Sequence, residues 1–380
     1  MFLPGLVLFM SVLQISAAAP TRQSPDRASE GQSLVRATEL KTAHVVEPLG
    51  IDTFRPRFRW LLESSERGQL QSAYQVLVAT SLEKLEAGIG NKWDSGKVRS
   101  DNSVEVFYGA GGIASGERAY WKVRIWDGKG KISAYSIPSS FEMGLLKTSA
   151  WKGQWIAAPK GLAAPMSRRA LTVHGPVRRA RLYICRLGYY ELSINGQKIG
   201  DRVLDPATTY YHNDQPFKLG SRVLYATYDV TAALRAGENA IGVMLGNGWY
   251  SSELDPAGLR QAYGDRPRFI LQMDVELANG RMLQMISDVA WKTSPSPISY
   301  NDLFNGEMYD ARLEQPGWNA PGFNDAAWER GLRGRAVKRG ADFGAAAAGS
   351  RDGDLARRES DHAKSAGRRR IADLRLRPTL

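Results

Sequence analysis

Along most of this chain, apolar and polar residues alternate with a period of two, which is the pattern of half-buried β-strands. The most regular example is a five-position apolar face made of Phe269, Leu271, Met273, Val275 and Leu277. The first part of the chain predicts a single helix, and that helix is short, from Leu82 to Ala87. The sequence therefore predicts an all-β protein.

Residues 33–145 are predicted to form the first domain. Trp121, Val123 and Ile125 share one strand face, and the turn sequence Asp127–Gly130 follows them. Several short strands, frequent turn signals and a candidate buried tryptophan within about 100 residues are typical of a sandwich of the immunoglobulin or fibronectin type III kind.

Residues 151–328 are predicted to form a second, larger sandwich. Asn195-Gly196 is a strong hairpin signal, because both central positions of a type I′ turn need a positive φ. Asn279-Gly280 marks another turn, directly after the five-position apolar face. The number of strands over about 160 residues favours an antiparallel jelly roll.

The two ends of the chain differ from this β-rich body. Residues 1–19 contain an apolar run that is too short to span a bilayer and ends in Ala17-Ala18-Ala19, which predicts a cleaved signal peptide and a secreted or periplasmic protein. The alternative is a buried N-terminal strand or helix.

Residues 329–380 lack sustained periodicity and contain a single aromatic residue, Phe343, which predicts a disordered tail. A shifted reading frame is a further hypothesis for that tail.

The formal net charge of +12 is unevenly distributed. From Gly331 to Leu380 there are 13 Lys and Arg against 6 Asp and Glu, so this segment alone carries +7. A nucleic-acid-binding protein is expected to combine a basic face with stacking aromatics on one folded module. Here the aromatic residues are in the body and the charge is in the tail, which favours a protein without a nucleic-acid partner over one with a basic binding tail.

Catalytic chemistry is not predicted for any residue. The only cysteine, Cys185, excludes an intramolecular disulfide, and its strand-like neighbours predict a small packed side chain. The four histidines have no catalytic or zinc-binding spacing. Gly246-Asn247-Gly248 is not a phosphate loop, because no lysine and no helix follow it.

Many ordered motifs between about residues 35 and 328 resemble the N-terminal part of bacterial α-L-rhamnosidases of glycoside hydrolase family 78. In the first domain the motifs are Glu47–Thr53, Arg55–Trp60, Gln71–Val76, Trp93–Gly96 and Tyr120–Arg124. In the second domain they are Leu187–Leu192, Asn195-Gly196, Gly200-Asp201, Leu204–Pro206, Tyr225–Thr231, Leu245–Tyr250, Tyr300–Asp302, Asn305–Glu307 and Tyr309–Arg312.

The resemblance implies a fibronectin-like domain followed by a galactose-binding-like β-sandwich. In that family a further β domain and an (α/α)6 barrel come next, and the barrel carries the catalytic acid and base. The sequence departs from the family pattern at about Glu329, so we expect these residues to bind carbohydrate at most and not to hydrolyse it. The expected partners are rhamnose-containing glycans or glycosides. The alternatives are a free-standing secreted rhamnose-binding module and a structural fragment without a ligand.

The candidate carbohydrate-binding residues are Asn247, Trp249, Tyr250 and Asp205. An aromatic platform beside an amide has the composition of a sugar site, although aromatic residues in sandwiches are more often buried for packing. Tyr189, Tyr190, Tyr210 and Tyr211 are lower-ranked candidates of the same kind. Of the carboxylates, Asp205, Glu307 and Asp310 would be tested first for catalysis, but loop carboxylates usually form turn hydrogen bonds.

The segment from Asn301 to Asp310 contains closely spaced oxygen ligands of the type that calcium prefers. The candidate metal ligands are Asn301, Asp302, Asn305, Glu307 and Asp310. Their spacing is not that of an EF-hand, so the alternative is ordinary hydrogen bonding within a turn. Some second domains of the resembled family bind rhamnose together with calcium, but their ligands have no residue-by-residue match in this sequence.

Overall fold

The computed structural model describes residues 32–209, 211, 222–252, 261 and 263–334, together with the backbone of 342–345. The predicted signal peptide and most of the predicted tail lie outside these residues. No helix within the described ranges is long and apolar enough to cross a membrane. The fold is nearly all β, as the alternating sequence pattern predicts.

The first domain is a sandwich of a three-stranded and a five-stranded antiparallel sheet. The strand orders are β1-β2-β6 and β4-β3-β7-β8, and β5 also pairs with β3. Helix α1 (Leu82–Glu86) begins at Ser81, whose hydroxyl accepts a hydrogen bond from the backbone N–H of Lys84. The strands are β1 (Arg36–Thr42), β2 (Arg57–Glu63), β3 (Gln71–Ala79), β4 (Trp93–Asp94), β5 (Val98–Arg99), β6 (Val106–Phe107), β7 (Arg118–Asp127) and β8 (Ser139–Glu142).

A tryptophan-rich core closes this sandwich, as its sequence predicts. Trp60 and Trp121 are both fully buried. The rings of Phe58 and Trp121 lie 4.4 Å apart between centroids. The indole N–H of Trp60 donates to the side-chain oxygen of Gln71 at 3.0 Å, so the buried polar atom is satisfied.

The second domain is a larger sandwich of a six-stranded and a seven-stranded sheet, with strand orders β13-β12-β15-β10-β18-β21 and β22-β9-β16-β11-β14-β23, in which β17 also pairs with β16. A separate hairpin, β19-β20, lies outside both sheets. The strands of the second domain, including this hairpin, are β9 (Ile156–Ala157), β10 (Met166–Val173), β11 (Val177–Leu187), β12 (Tyr189–Ile194), β13 (Gln197–Lys198), β14 (Arg222–Asp229), β15 (Gly237–Gly246), β16 (Arg268–Leu277), β17 (Met282–Ile286), β18 (Lys292–Ser294), β19 (Ile298–Asp302), β20 (Gly306–Tyr309), β21 (Glu329–Arg330), β22 (Leu332–Arg333) and β23 (Asp342–Ala345). Three 3-10 turns cover Thr148–Ala150, Thr231–Ala233 and Ala311–Leu313.

The period-two face of β16 forms the centre of the second core. All five of its apolar residues are completely buried. The Asn195-Gly196 turn joins β12 to β13, and its residues have φ values of 53° and 81°, as a type I′ turn requires. Cys185 is also completely buried, and burial raises the pKa of its thiol. The prediction of a packed, unreactive cysteine is confirmed.

The start of the predicted tail needs correction, because residues 329–334 are part of the sandwich. Strand β21 pairs with β18 in one sheet, and β22 pairs with β9 in the other. Between them, the N–H of Gly331 donates to the carbonyl of Trp291 at 2.8 Å. Strands of two residues are too short to produce a sequence period, so the pattern gave no signal for them. Strand β23 then lies parallel to β14.

A buried ion pair joins the two domains. The Glu142 carboxylate at the end of β8 accepts two hydrogen bonds from the Arg181 guanidinium of β11, both 2.6 Å long. Both residues are at least 95% buried. Beside this pair, the backbone N–H of Leu145 donates to the hydroxyl of Tyr225 at 2.6 Å. The junction therefore has a fixed geometry.

We predict that Glu142→Gln lowers the free energy of unfolding by about 3 kcal/mol, because the buried Arg181 would lose its buried carboxylate and depend on Asp229, which is half exposed and lies 2.9 Å away. Urea unfolding followed by tryptophan fluorescence measures this change. Glu105→Gln is the matched control, since its ion pair with Arg57 is exposed and should contribute about 0–1 kcal/mol. Equal losses in the two variants would contradict the prediction.

Candidate functional site

A cleft of about 340 Å³ lies in the second domain, between the β19-β20 hairpin and the neighbouring ends of β12 and β15. We call this space the cleft. The residues that line it come from five parts of the chain: Ala164 and Leu204 from two separate loops; Tyr189, Tyr190 and Glu191 from β12; Met244, Leu245, Gly246 and Gly248 from β15 and its end; and Ile298, Asn301, Asp302, Leu303, Gly306 and Glu307 from the hairpin.

Two asparagines fasten the hairpin to the sheet. The side-chain oxygen of Asn301 accepts from the backbone N–H of Asn247 at 2.7 Å, and the side-chain N–H of Asn247 donates to the Asn301 carbonyl at 3.0 Å. The side-chain N–H of Asn301 also donates to the carbonyl of Ala163 at 2.7 Å. The sequence predicted Asn247 as a sugar contact and Asn301 as a metal ligand, whereas the structure uses both amides to build the cleft wall.

Asp302 organises the turn between β19 and β20. One of its carboxylate oxygens accepts from the backbone N–H groups of Phe304 and Asn305 at 2.9 and 3.1 Å, and from the Asn305 side chain at 3.1 Å. The other oxygen accepts from the hydroxyl of Ser252 at 2.6 Å. These bonds are the turn interactions that the sequence offered as the alternative to metal binding.

Two further candidate metal ligands, Asp310 and Glu307, have different surroundings. The Asp310 carboxylate accepts two hydrogen bonds from the Arg312 guanidinium, 2.8 and 2.6 Å long. These bonds and the backbone N–H of Arg312 lower the pKa of Asp310. Glu307 lies on an exposed strand. Within the described ranges, no three His, Cys, Asp or Glu residues are grouped as a metal site would need. The hydrogen bonds of Asp302 and Asp310 favour the turn alternative over a calcium site.

The ring of Tyr189 is held in a fixed position at the cleft. Tyr189 is the first residue of β12, and the guanidinium of Arg186 lies 4.5 Å from the centroid of the Tyr189 ring. Gly248 has a φ of 51°, and a Cβ atom at this position would come within 2.9 Å of the Tyr189 ring. Only glycine lets the backbone approach the ring this closely. Tyr189 is thus a rigid aromatic surface.

A chain of buried hydroxyl groups lies behind the cleft. The Tyr228 hydroxyl donates to the Asp205 carboxylate at 3.3 Å, and it is 2.8 Å from the hydroxyl of Tyr190. Since Tyr228 uses its proton toward Asp205, Tyr190 donates to Tyr228. Burial raises the pKa of Tyr228 to about 12, so this phenol is neutral at physiological pH. The predicted sugar contact Asp205 also pairs with Arg202 at 3.2 Å, and it supports the cleft from behind without lining it.

The two predicted aromatic contacts have different surroundings. Tyr250 is only 6% exposed, and its ring packs edge-on against Tyr211 with centroids 5.2 Å apart. It therefore belongs to the core, which is the packing alternative that the sequence left open. Trp249 is half-buried and packs against Phe304 at 5.9 Å, beside the hairpin turn. Tyr210 and His212 lie outside the described residues.

Sequence reasoning ranked Tyr189 and Tyr190 below Trp249 and Tyr250 and did not name Glu191, although these three residues of β12 line the cleft. The Leu187–Leu192 motif was informative, because it places these three residues directly before the Asn195-Gly196 hairpin. The sequence around β12 contains no signal that residues 301–307, more than 100 residues later in the chain, will lie opposite this strand across the cleft.

Comparisons with known proteins place the cleft in a matched region. Residues 175–341 match the family described as the α-L-rhamnosidase N-terminal domain. Residues 37–147 match the Rha78A-like N-terminal immunoglobulin domain. The first match extends beyond Glu329, so the likeness continues past the point where the sequence motifs predicted a departure.

Curated relatives are similar over about three quarters of the chain. An α-L-rhamnosidase of Formosa agariphila is 35% identical over 311 residues, which cover 74% of this chain and 32% of the relative. One of Alteromonas sp. is 32% identical, with coverages of 77% and 32%. The chain thus spans about a third of the length of these relatives.

Solved structures agree with the fold. The α-L-rhamnosidase from Dictyoglumus thermophilum is 38% identical with a TM-score of 0.73, covering 82% of this chain and 35% of that one. The Streptomyces avermitilis α-L-rhamnosidase complexed with L-rhamnose is 25% identical with a TM-score of 0.71, covering 81% of this chain and 46% of that one.

We predict that a chelator leaves the thermal unfolding midpoint of this protein unchanged, while Asp302→Ala lowers it. The substitution removes the acceptor for two backbone N–H groups, which costs about 1–3 kcal/mol where these groups are shielded from water. Differential scanning calorimetry with and without EDTA measures both effects. A midpoint that falls with EDTA and recovers with calcium would show that the hairpin holds a metal.

Proposed function

Since the chain carries the N-terminal immunoglobulin-like and β-sandwich domains of the α-L-rhamnosidases, we propose that its second domain binds rhamnose-containing glycans in the cleft. The observation that carries this proposal is the cleft itself, where a fixed tyrosine ring faces a hairpin bearing carboxylate and amide groups. The proposed role is recognition of carbohydrate, without cleavage by these residues alone.

The size and lining of the cleft support a small neutral ligand. A volume of about 340 Å³ is at the lower end of the range of about 300–1,000 Å³ typical of small-molecule sites, which suits one or two sugar units. Sugar rings combine apolar C–H faces with hydroxyl donors. The Tyr189 ring offers a surface on which the C–H face of a sugar can pack, and the Glu307 carboxylate can accept hydrogen bonds from sugar hydroxyl groups.

The relatives support rhamnose as the sugar class. The matched curated proteins are α-L-rhamnosidases, and the Streptomyces structure is a complex with L-rhamnose. All the described residues that line the cleft, except Ala164, lie within the region matched as their N-terminal domain. Rhamnose has a methyl group in place of a hydroxymethyl group, and Met244 and Ile298 give the cleft apolar walls that suit it.

The carboxylates at the cleft are poorly arranged for hydrolysis. Cleaving a glycosidic bond takes two carboxyl groups about 5–10 Å apart, one of which must hold a proton. Asp302 already accepts four hydrogen bonds, and Glu191 pairs with Lys198 at 2.7 Å. Both carboxylates are therefore already engaged by partners within the protein, which does not favour an acid and base pair at the cleft.

A role outside the cytoplasm is part of the proposal. The apolar run and the Ala17-Ala18-Ala19 site near the N-terminus support export, and glycans of the surroundings would then be accessible to the second domain. Determining the N-terminal residue of the mature protein tests this point.

We predict that isothermal titration calorimetry detects binding of methyl α-L-rhamnoside to the full chain. Tyr189→Ala should weaken binding about tenfold by removing the aromatic surface, and Tyr189→Phe should retain it because the ring remains. Trp126→Ala, which removes a half-buried aromatic residue of the first domain, is the control and should bind as the unmodified chain does. A flat titration of the unmodified, cooperatively folded protein would favour the structural fragment without a ligand.

We also predict no turnover of an aryl α-L-rhamnoside by this chain. Release of the chromogenic aglycone is followed over hours at high protein concentration. Turnover that disappears in Glu307→Gln would assign hydrolysis to the cleft and refute a purely binding role.

A further inference from the structure

The charged groups that line the cleft all have the same sign. Three of the lining residues carry carboxylates, namely Glu191, Asp302 and Glu307, and among the lining residues that the structure describes there is no lysine or arginine. The other lining side chains are neutral. The cleft therefore exposes a bound ligand to negative charge, without a cation positioned to pair with an anionic group.

Nearby cations do not reverse this balance. Arg186 lies behind the Tyr189 ring and donates to the carbonyls of Leu204 and Pro206. Arg202 is paired with Asp205. Lys198 pairs with Glu191, but both side chains are about half exposed, so solvent screens this pair strongly.

Glu307 is the carboxylate that is available to a ligand. The Asp302 carboxylate accepts four hydrogen bonds at the hairpin turn, and the Glu191 carboxylate pairs with Lys198. Within the described part of the chain, Glu307 has no hydrogen-bond or ion-pair partner, and it lies on the exposed β20 strand at the cleft. Its oxygens are thus free to accept hydrogen bonds from sugar hydroxyl groups.

We propose that the cleft selects neutral rhamnosides and rejects rhamnosides that carry a sulfate, phosphate or carboxylate group on the bound sugar. This inference rests on the proposed function. An anionic substituent would lose hydration on entering the cleft and would meet the Glu307 carboxylate instead of a cation. A neutral sugar donates its hydroxyl hydrogens to the same carboxylate. One residue therefore both attracts the neutral ligand and repels its charged analogue.

Calorimetric titration of the full chain with methyl α-L-rhamnoside and with its monosulfate esters tests the inference. We expect the neutral glycoside to bind at least about tenfold more tightly at 20 mM NaCl. The difference should shrink at 300 mM NaCl, because salt screens the repulsion between exposed charges. Glu307→Gln should reduce the difference in affinity between the neutral and the sulfated glycosides, and Glu307→Lys should make the sulfated glycosides bind more tightly than the neutral one. Glu63→Gln, at an exposed site on the first domain, is the control and should leave it unchanged.

The outcomes separate the two proposals. If neither glycoside binds, the proposed function fails and this inference falls with it. If the neutral glycoside binds but a sulfate ester binds equally well or better, the function stands and the inference is overturned. The inference is also overturned if the Glu307 substitutions leave the neutral-to-sulfated ratio unchanged.

Discussion

The ion pair between Glu142 and Arg181 is the interaction on which the arrangement of this chain depends. A carboxylate and a guanidinium that are both almost completely buried are shielded from water, so removing either one is costly for the other. The half-exposed Asp229 carboxylate is a second partner of Arg181, at 2.9 Å. The pair fixes the end of β8 against β11 and thereby the first domain against the second. Although burial opposes the charge on Arg181, the Glu142 carboxylate raises the pKa of Arg181, which keeps the guanidinium charged.

Strand β11 separates this junction from the cleft. Arg181 lies near its middle, the strand ends six residues later at Leu187, and Tyr189 begins β12 two residues after that. At about 3.3 Å per residue, Arg181 is about 20 Å from the end of β11 that leads to the cleft. The first domain therefore contributes no residue to the cleft lining, and the second domain can present the cleft to a glycan while it is held from its opposite end.

Much of the fold could be predicted from local sequence, because strands and hairpins have local signatures. The buried face of β16, the Asn195-Gly196 turn and the short helix at Leu82 all follow from periodicity or turn chemistry. The cleft could not be predicted in the same way. Asn247 and Asn301 are 54 residues apart in sequence, and each taken alone resembles a ligand-binding residue. Only their mutual hydrogen bonds show that they support the wall. Likewise, β21 and β22 take their stability from sheet edges elsewhere in the fold and have no pattern of their own.

The parallel strand β23 has a consequence for how this protein behaves at high concentration. The outer edge of β14 would otherwise offer a row of unpaired backbone N–H and C=O groups, and such edges are templates for pairing between molecules. Four backbone residues of the same chain occupy this edge from Arg222 to Tyr225. The segment thus moves the exposed edge of this sheet from β14 to a strand of four residues, and such a short edge offers fewer backbone groups for pairing between molecules.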